Sequence, residues 1–306
     1  MRIVFMGTPD FAVPSLKALY DMGLDVAGVF CQPDRPKGRG NKMEYCPVKQ
    51  LAIEHGTPVF QPQRIRLDGA EALAGLKPDL CVTAAFGQIL SQENLDVPRI
   101  GTVNVHASLL PKYRGSAPIN WAIIHGETVT GVTTMMTDKG MDTGDILLQQ
   151  PVSIPEGATA GEMTDILKLE GAKLLRRTVE LLADDSCPRV AQDPDLATYD
   201  PMLTKELGQL DLTLDAHRLC CLIRGINPWP GASLNLSDGQ VLKVWRAREL
   251  EEIHDNRQPG EWLSADSQSG LIVRTGNDTA LEILEMQMPG GKRMSPRDYL
   301  RGHRLP

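Results

Sequence analysis

Three short runs constrain what this chain can fold into: Arg2–Met6 (RIVFM), Asp25–Cys31 (DVAGVFC) and Asp79–Phe86 (DLCVTAAF). Their apolar residues follow one another without polar alternation, which is the pattern of strands covered on both faces. Helical spacing fills the intervals, at Phe11–Tyr20, Pro47–Glu54 and Asp68–Leu76, with Pro58–Phe60 as one more strand. Strand, tight turn and helix in succession predict an α/β fold, an open, mostly parallel, Rossmann-like sheet. In such sheets ligands gather beyond the carboxyl ends of the strands. Here those loops are Gly7–Asp10, Gln32–Cys46, Ala84–Leu90 and Ser108–Gly115. The first lacks G-x-G-x-x-G, so dinucleotide binding is not expected.

The stretch Thr102–Pro118, TVNVHASLLPKYRGSAP, carries the densest chemistry. As a strand it puts Asn104 and His106 on one face, with Val103 and Val105 packed behind. Ser108, Leu109, Leu110 and Pro111 follow as a stiffened turn, and Lys112, Tyr113, Arg114 and Gly115 read as a cationic, flexible rim where a ligand can lie. A second strand, TGVTTMMT, is closed by the acidic turn TDKGMDTGD, with Asp142 at its bend. A strand histidine is commonly a satisfied core residue, and aspartate a common turn former.

Beyond Ile154 a helix is expected over Thr159–Ala183, its apolar stripe devoted to packing. Composition then shifts to a proline- and aspartate-rich segment within Asp184–Gly208, the profile of a linker. The expected division is a catalytic domain over 1–189, a linker over 190–207 and a second domain over 208–306. There a helix over Leu212–Ile226 ends at NPWPGA, where Pro228 and Pro230 preclude continuation. Five short strands follow at turn spacing, suggesting an OB-like β-barrel. Lys243, Arg246 and Arg248 mark one strand, and Lys292, Arg293, Arg297, Arg301 and Arg304 collect at the end. Both groups are candidate phosphate contacts.

The 306 residues carry 32 Lys and Arg against 39 Asp and Glu, a formal charge of -7, so any nucleic-acid surface must be local. Such a surface is suggested by Arg35, Lys37, Arg39 and Lys42 in the Gln32–Cys46 loop, although a solvated surface loop has the same composition. The six cysteines show neither C-x-x-C nor metal-ligand spacing, so reduced thiols in the cytoplasm and no metal are expected. Met1 runs straight into an apolar strand, and no export signal or membrane span is expected.

MRIVFMGTPDFAVPSL, QPDRPKGRG, NVHASLLPKYRGSAPI, DKGMDTGD, INPWPGAS and MSPRDYLRGHRL together resemble the methionyl-tRNA formyltransferases over nearly the whole chain. The resemblance implies a formyltransferase fold and 10-formyltetrahydrofolate as formyl donor. It implies the α-amino group of methionyl-initiator tRNA as acceptor, with N-formylmethionyl-tRNA as the product used in translation initiation. The enzyme is expected as a monomer. Asn104, His106 and Asp142 match the family's catalytic asparagine, histidine and aspartate, and the resemblance assigns folate contacts to Ser108, Leu109, Leu110 and Pro111. Arg39 and Lys205 match tRNA-facing positions, and Arg35, Lys37 and Lys42 share the basic loop with Arg39. In formyl transfer to an amine, Asn104 and His106 would donate to the formyl oxygen as it gains charge. Asp142 would either orient and charge His106 or accept the amine's proton. An amino-sugar-nucleotide N-formyltransferase would share those three residues without needing the basic loop, and a non-catalytic RNA-binding protein could reuse the scaffold.

Overall fold

The three apolar runs become the centre of a seven-stranded sheet in the computed structural model of the protein, which describes residues 1–37, 42–251 and 254–305. The chain forms two units. One comprises Met1–Gly115, Val129–Ser153 and Thr164–Asp200; the other comprises Ser116–Thr128, Ile154–Met163 and Pro201–Pro306.

The first unit begins β1 (Arg2–Gly7), α1 (Val13–Asp21), β2 (Asp25–Phe30), β3 (Arg35–Lys37), β4 (Lys42–Glu44), α2 (Pro47–Glu54) and β5 (Val59–Phe60). It continues with α3 (Ala70–Leu76), β6 (Leu80–Ala84), α4 (Gln92–Leu95) and β7 (Gly101–His106). After α5 (Pro118–Ile124), which belongs to the second unit, come β8 (Val129–Met136) and β9 (Ile146–Ser153). The sheet order is β5-β2-β1-β6-β7-β8-β9. Pairing is parallel from β5 through β7 and antiparallel for β8 and β9. Strand order reverses at β1, so the crevice for ligands opens beyond the carboxyl ends of β1, β6 and β7.

The absence of polar alternation has its predicted cause. Ile3 and Phe5 of β1 join Leu16, Leu19, Val48 and Ala52 of α1 and α2 on one face of the sheet. Val4 and Met6 join Ile65 and Leu73 on the other. Each of these large side chains, once fully buried, contributes roughly 1.5–3 kcal/mol. Phe86 is likewise core, at 5% exposure. Helix α6 (Ala160–Ala183) begins where Thr159 and Glu162 close a capping box: Glu162 N donates to Thr159 Oγ1 at 3.2 Å, and Thr159 N to Glu162 Oε2 at 2.8 Å.

In the second unit, α7 (Ala216–Gly225) precedes β10 (Ala232–Asn235), β11 (Val241–Leu250), β12 (Trp262–Asp266), β13 (Gly270–Arg274), β14 (Ala280–Gln287) and α8 (Pro296–Leu300). The five strands make one antiparallel sheet ordered β10-β11-β14-β13-β12. Leu219 and Ile223 of α7 pack on Leu234, Leu242, Val244, Leu271 and Leu281. The helix starts four residues later than the apolar spacing predicts, because Asp215 caps it by accepting from Arg218 N at 2.9 Å. Strand β11 runs past the expected Arg246 because irregularities on either side of that residue let it bend and keep pairing, to Leu250 opposite Ala280.

The basic residues expected on β11 all have partners, although Arg246 and Arg248 stay exposed. Lys243 Nζ donates to Gly231 O, Arg246 faces Glu162 at 3.3 Å, and Arg248 pairs with Glu282. In the terminal cluster Lys292, Arg293, Arg297, Arg301 and Arg304 are all exposed. Arg293 lies 3.5 Å over the Trp245 ring and Arg301 faces Asp298.

Candidate active site

Strand β7 lies between β6 and β8, and its alternation sorts its residues as expected. Val103 and Val105 join the core, while Asn104 and His106 point to the opposite face. Both then meet Asp142, 38 residues beyond Asn104, which the turn after β8 brings in. Thr83 Oγ1 on β6 donates to Asn104 Oδ1 at 2.9 Å, which fixes the amide so that Nδ2 faces Asp142 Oδ1 at 3.4 Å. His106 is 5% exposed, and its Nε2 sits 2.9 Å from the carbonyl oxygen of Tyr113. A carbonyl only accepts, so Nε2 carries the proton. Nδ1 is thereby left facing Asp142 Oδ2 at 3.7 Å. That is beyond a normal hydrogen bond but well within Coulombic reach. Nδ1 and the carboxylate therefore look at each other.

The turns that hold these groups are unusual. Tyr113 (φ 58) and Asp142 (φ 55) both adopt left-handed backbone, which costs a non-glycine residue roughly 1–2 kcal/mol. They persist because their surroundings over-determine them. Tyr113 N donates to Thr198 Oγ1 at 2.7 Å and Arg114 N to Thr198 O at 3.0 Å. Gly115, at φ 105, brings its N–H within 2.8 Å of Asp142 Oδ2. Gln192 Nε2 donates to both Asp142 O (2.9 Å) and Gly144 O (2.7 Å). Gly144 itself admits no side chain, since a Cβ there would lie 1.9 Å from Met136 O.

Arg114 is the principal departure from the sequence reading. Expected on an exposed cationic rim, it is 6% exposed and built into the scaffold. Its Nε and Nη2 donate to Gln192 Oε1 at 3.1 and 2.8 Å, and Nη1 donates to Tyr199 OH at 2.6 Å. Gln192, Thr198 and Tyr199 lie in the proline-rich stretch after α6, where Val190 also bridges Ile146. None of these support residues, nor Thr83, stands out in the sequence. Their partners are distant in the chain, and no short motif records such a contact.

The SLLP turn divides in two. Ser108, 0% exposed, donates through Oγ to Lys112 O at 2.7 Å, and its carbonyl accepts from Thr133 Oγ1. Leu110, 3% exposed, donates its N–H to Thr133 Oγ1, and its carbonyl accepts from Gln149 Nε2 at 2.8 Å. Leu109 and Pro111 are half-buried and present apolar surface. Of the basic residues singled out, Arg35 is exposed at the start of the β3–β4 hairpin, in which Lys37 stands opposite Lys42. Lys205 is exposed at the entry to a short turn in the second unit, and Arg39 lies outside the described residues. Among the described residues no group of three or more His, Cys, Asp or Glu is disposed to hold a metal ion. No helix among them is long and apolar enough to cross a membrane.

A doubly wound sheet with an asparagine, histidine and aspartate converging at the end of one strand matches a known class. The family model described as formyl transferase matches residues 1–179, that for the formyl transferase C-terminal domain matches residues 202–304, and the chain belongs to this family. Similar relatives share one name. The methionyl-tRNA formyltransferase of Caldanaerobacter subterraneus subsp. tengcongensis is 48% identical, over 100% of this chain and 98% of its own. That of Acetivibrio thermocellus is 47% identical, over 100% and 97%. Among solved structures, the N-formyltransferase from Helicobacter canadensis in complex with folinic acid and dTDP-3-aminofucose superposes with a TM-score of 0.69 at 17% identity, covering 92% of this chain and 98% of that one. HypX from Aquifex aeolicus in complex with tetrahydrofolic acid gives 0.63 at 18% identity, covering 98% and 47%. At those identities the likeness is one of fold.

Proposed function

We propose that this protein transfers the formyl group of 10-formyltetrahydrofolate to the α-amino group of methionyl-initiator tRNA, giving the N-formylmethionyl-tRNA used in translation initiation. The observation that carries the reading is the convergence of Asn104 and His106 on Asp142, in a chain 48% identical end to end to a methionyl-tRNA formyltransferase.

The chemistry follows from the donor set. The amine must be neutral to attack, and negative charge then gathers on the formyl oxygen. Asn104 Nδ2 is the donor that meets it, joined by His106 Nδ1 when that nitrogen carries a proton. Asp142, whose Oδ2 faces His106 Nδ1 at 3.7 Å, takes the proton the amine loses and passes it to the folate nitrogen, which leaves as its bond to the formyl carbon breaks. Asp142 thus serves as the proton acceptor, beside the ring it faces. Leu109 and Pro111 wall the folate, and Ser108 and Leu110 hold that wall on Thr133. Arg35, Lys37, Arg39 and Lys42 approach the acceptor end of the tRNA, and Lys205 faces the tRNA. Lys292, Arg293, Arg297, Arg301 and Arg304 hold its phosphates without reading bases. The enzyme works as a monomer in the cytoplasm.

The decisive assay offers 10-formyltetrahydrofolate with methionyl initiator tRNA, methionyl elongator tRNA or a 4-amino-sugar nucleotide. Rapid formylation confined to initiator tRNA is expected. A formylated sugar with no tRNA product would keep the roles of Asn104, His106 and Asp142 and overturn the acceptor.

A further inference from the structure

We propose that Thr133 and Gln149 are positioning residues for the formyl donor: they seat the Ser108–Pro111 loop on the sheet row that carries His106, and so govern affinity for the folate and not for the tRNA, taking that loop as the folate wall as above. Strands β7, β8 and β9 are antiparallel neighbours, and their register sets Thr133 opposite His106 on one side and Gln149 on the other. Residues directly opposite on neighbouring strands present their side chains to the same face. His106, Thr133 and Gln149 therefore form one row across the face that bears the site.

The loop leaving β7 folds back over this row, and the row grips it by its backbone. Thr133 Oγ1 donates to Ser108 O at 2.7 Å and accepts the Leu110 N–H at 3.2 Å. Gln149 Nε2 donates to Leu110 O at 2.8 Å and to Thr133 Oγ1 at 3.1 Å. The Thr133 hydroxyl thus gives its proton and fills both lone pairs, and at 0% exposure no water can stand in for it. Between the gripped groups, Leu109 lies over Gly131, which shares the face of Thr133 two residues on. A Cβ at Gly131 would come within 2.6 Å of Leu109 Cδ2 and 2.4 Å of Gln150 O, so the bare position lets the loop lie down on β8. Asn104 and Asp142 take their support from Thr83 and Gly115 instead. Loosening the row therefore shifts Leu109 and Pro111 without removing either side chain, and leaves the supports of the amine side in place.

The test uses the full chain in four variants. Thr133→Val removes the hydroxyl at nearly constant size, Thr133→Ser keeps it, Gln149→Ala removes the amide, and Leu109→Ala trims the wall itself. Steady-state formylation gives the Michaelis constants for 10-formyltetrahydrofolate and for methionyl-tRNA, and calorimetric titration with tetrahydrofolate gives a dissociation constant independent of turnover. Thr133→Val and Gln149→Ala should each raise both folate constants by about tenfold, the effect of losing one buried hydrogen bond that supports the bound loop. The constant for tRNA should not move, and Thr133→Ser should bring the folate constants back toward the natural values. Gln149 is exposed on the edge strand, so its variant keeps the test open should Thr133→Val fail to fold. A variant that is merely less stable loses active enzyme and lowers kcat, with both Michaelis constants in place; that result would overturn the proposal, as would equal shifts for folate and tRNA. Folate constants raised by Leu109→Ala but by neither row variant would overturn the proposal alone. Folate constants unmoved by Leu109→Ala would remove the loop from the folate site and the proposal with it.

Discussion

At the scale of single residues, the tautomer of His106 organises the site. Because Nε2–H is committed to Tyr113 O at 2.9 Å, only Nδ1 can exchange a proton, and it faces Asp142. Removing the ring in His106→Ala, or the charge in Asp142→Asn, should lower turnover by ~10²–10³-fold, the usual effect of losing a donor to developing charge. The Michaelis constant for methionyl-tRNA should stay close to normal, because neither group is a phosphate contact. Single-turnover formylation with each variant checks this, and a near-normal rate in either would remove it from the chemistry. Asn104 and His106 were legible in the sequence because a strand's two-residue period puts them on one face. Their supports were not. Thr83 and Gln192 are ordinary residues until β6 and the chain after α6 are folded against them.

At the scale of elements, the loops at the ends of β7 and β8 are held by a third segment. Gln192 receives two bonds from Arg114 and gives two to the Asp142 turn, so it couples both loops. Gln192→Ala leaves buried polar groups unpaired and should cost about 1–3 kcal/mol of unfolding free energy. Gln192→Glu keeps an acceptor for Arg114 but cannot donate to the two carbonyls. It should retain more stability than the alanine variant while still losing turnover, with the loss in kcat rather than in KM for tRNA. Denaturant titration beside steady-state kinetics separates the two; turnover that simply followed stability in both variants would reduce Gln192 to a structural part. On α6, Thr159→Ala removes one half of the capping box and should cost about 1 kcal/mol, measured by the same titration.

For the molecule as a whole, pH and salt act through different charges. Thr159's N–H and hydroxyl hold the Glu162 carboxyl below its ordinary range, and Asp34, Asp79 and Asp266 are held down by their own hydrogen bonds. A carboxyl depressed on folding stabilises fully above its unfolded value and loses that contribution as pH falls through its folded one. Stability against urea should therefore be level between about pH 6 and 8 and decline below about pH 4; an unchanged midpoint at pH 3 would contradict it. Because the chain carries a formal charge of -7, tRNA must be met by local basic clusters. The Michaelis constant for tRNA should rise steeply with salt and that for the formyl donor should not. Replacing Arg297 and Arg301 together should flatten the salt dependence, which a salt series of initial rates would reveal. By itself the sequence determined the strands buried on both faces, the one-sided placement of Asn104 and His106, and the turn that carries Asp142, because each follows from local periodicity. Only the tertiary structure decided that Arg114 is buried on Gln192 and Tyr199, and that Lys243, Arg246 and Arg248 are engaged by their neighbours. Those outcomes depend on contacts between segments distant in the chain, where charge and burial are set by what arrives opposite rather than by the residue itself.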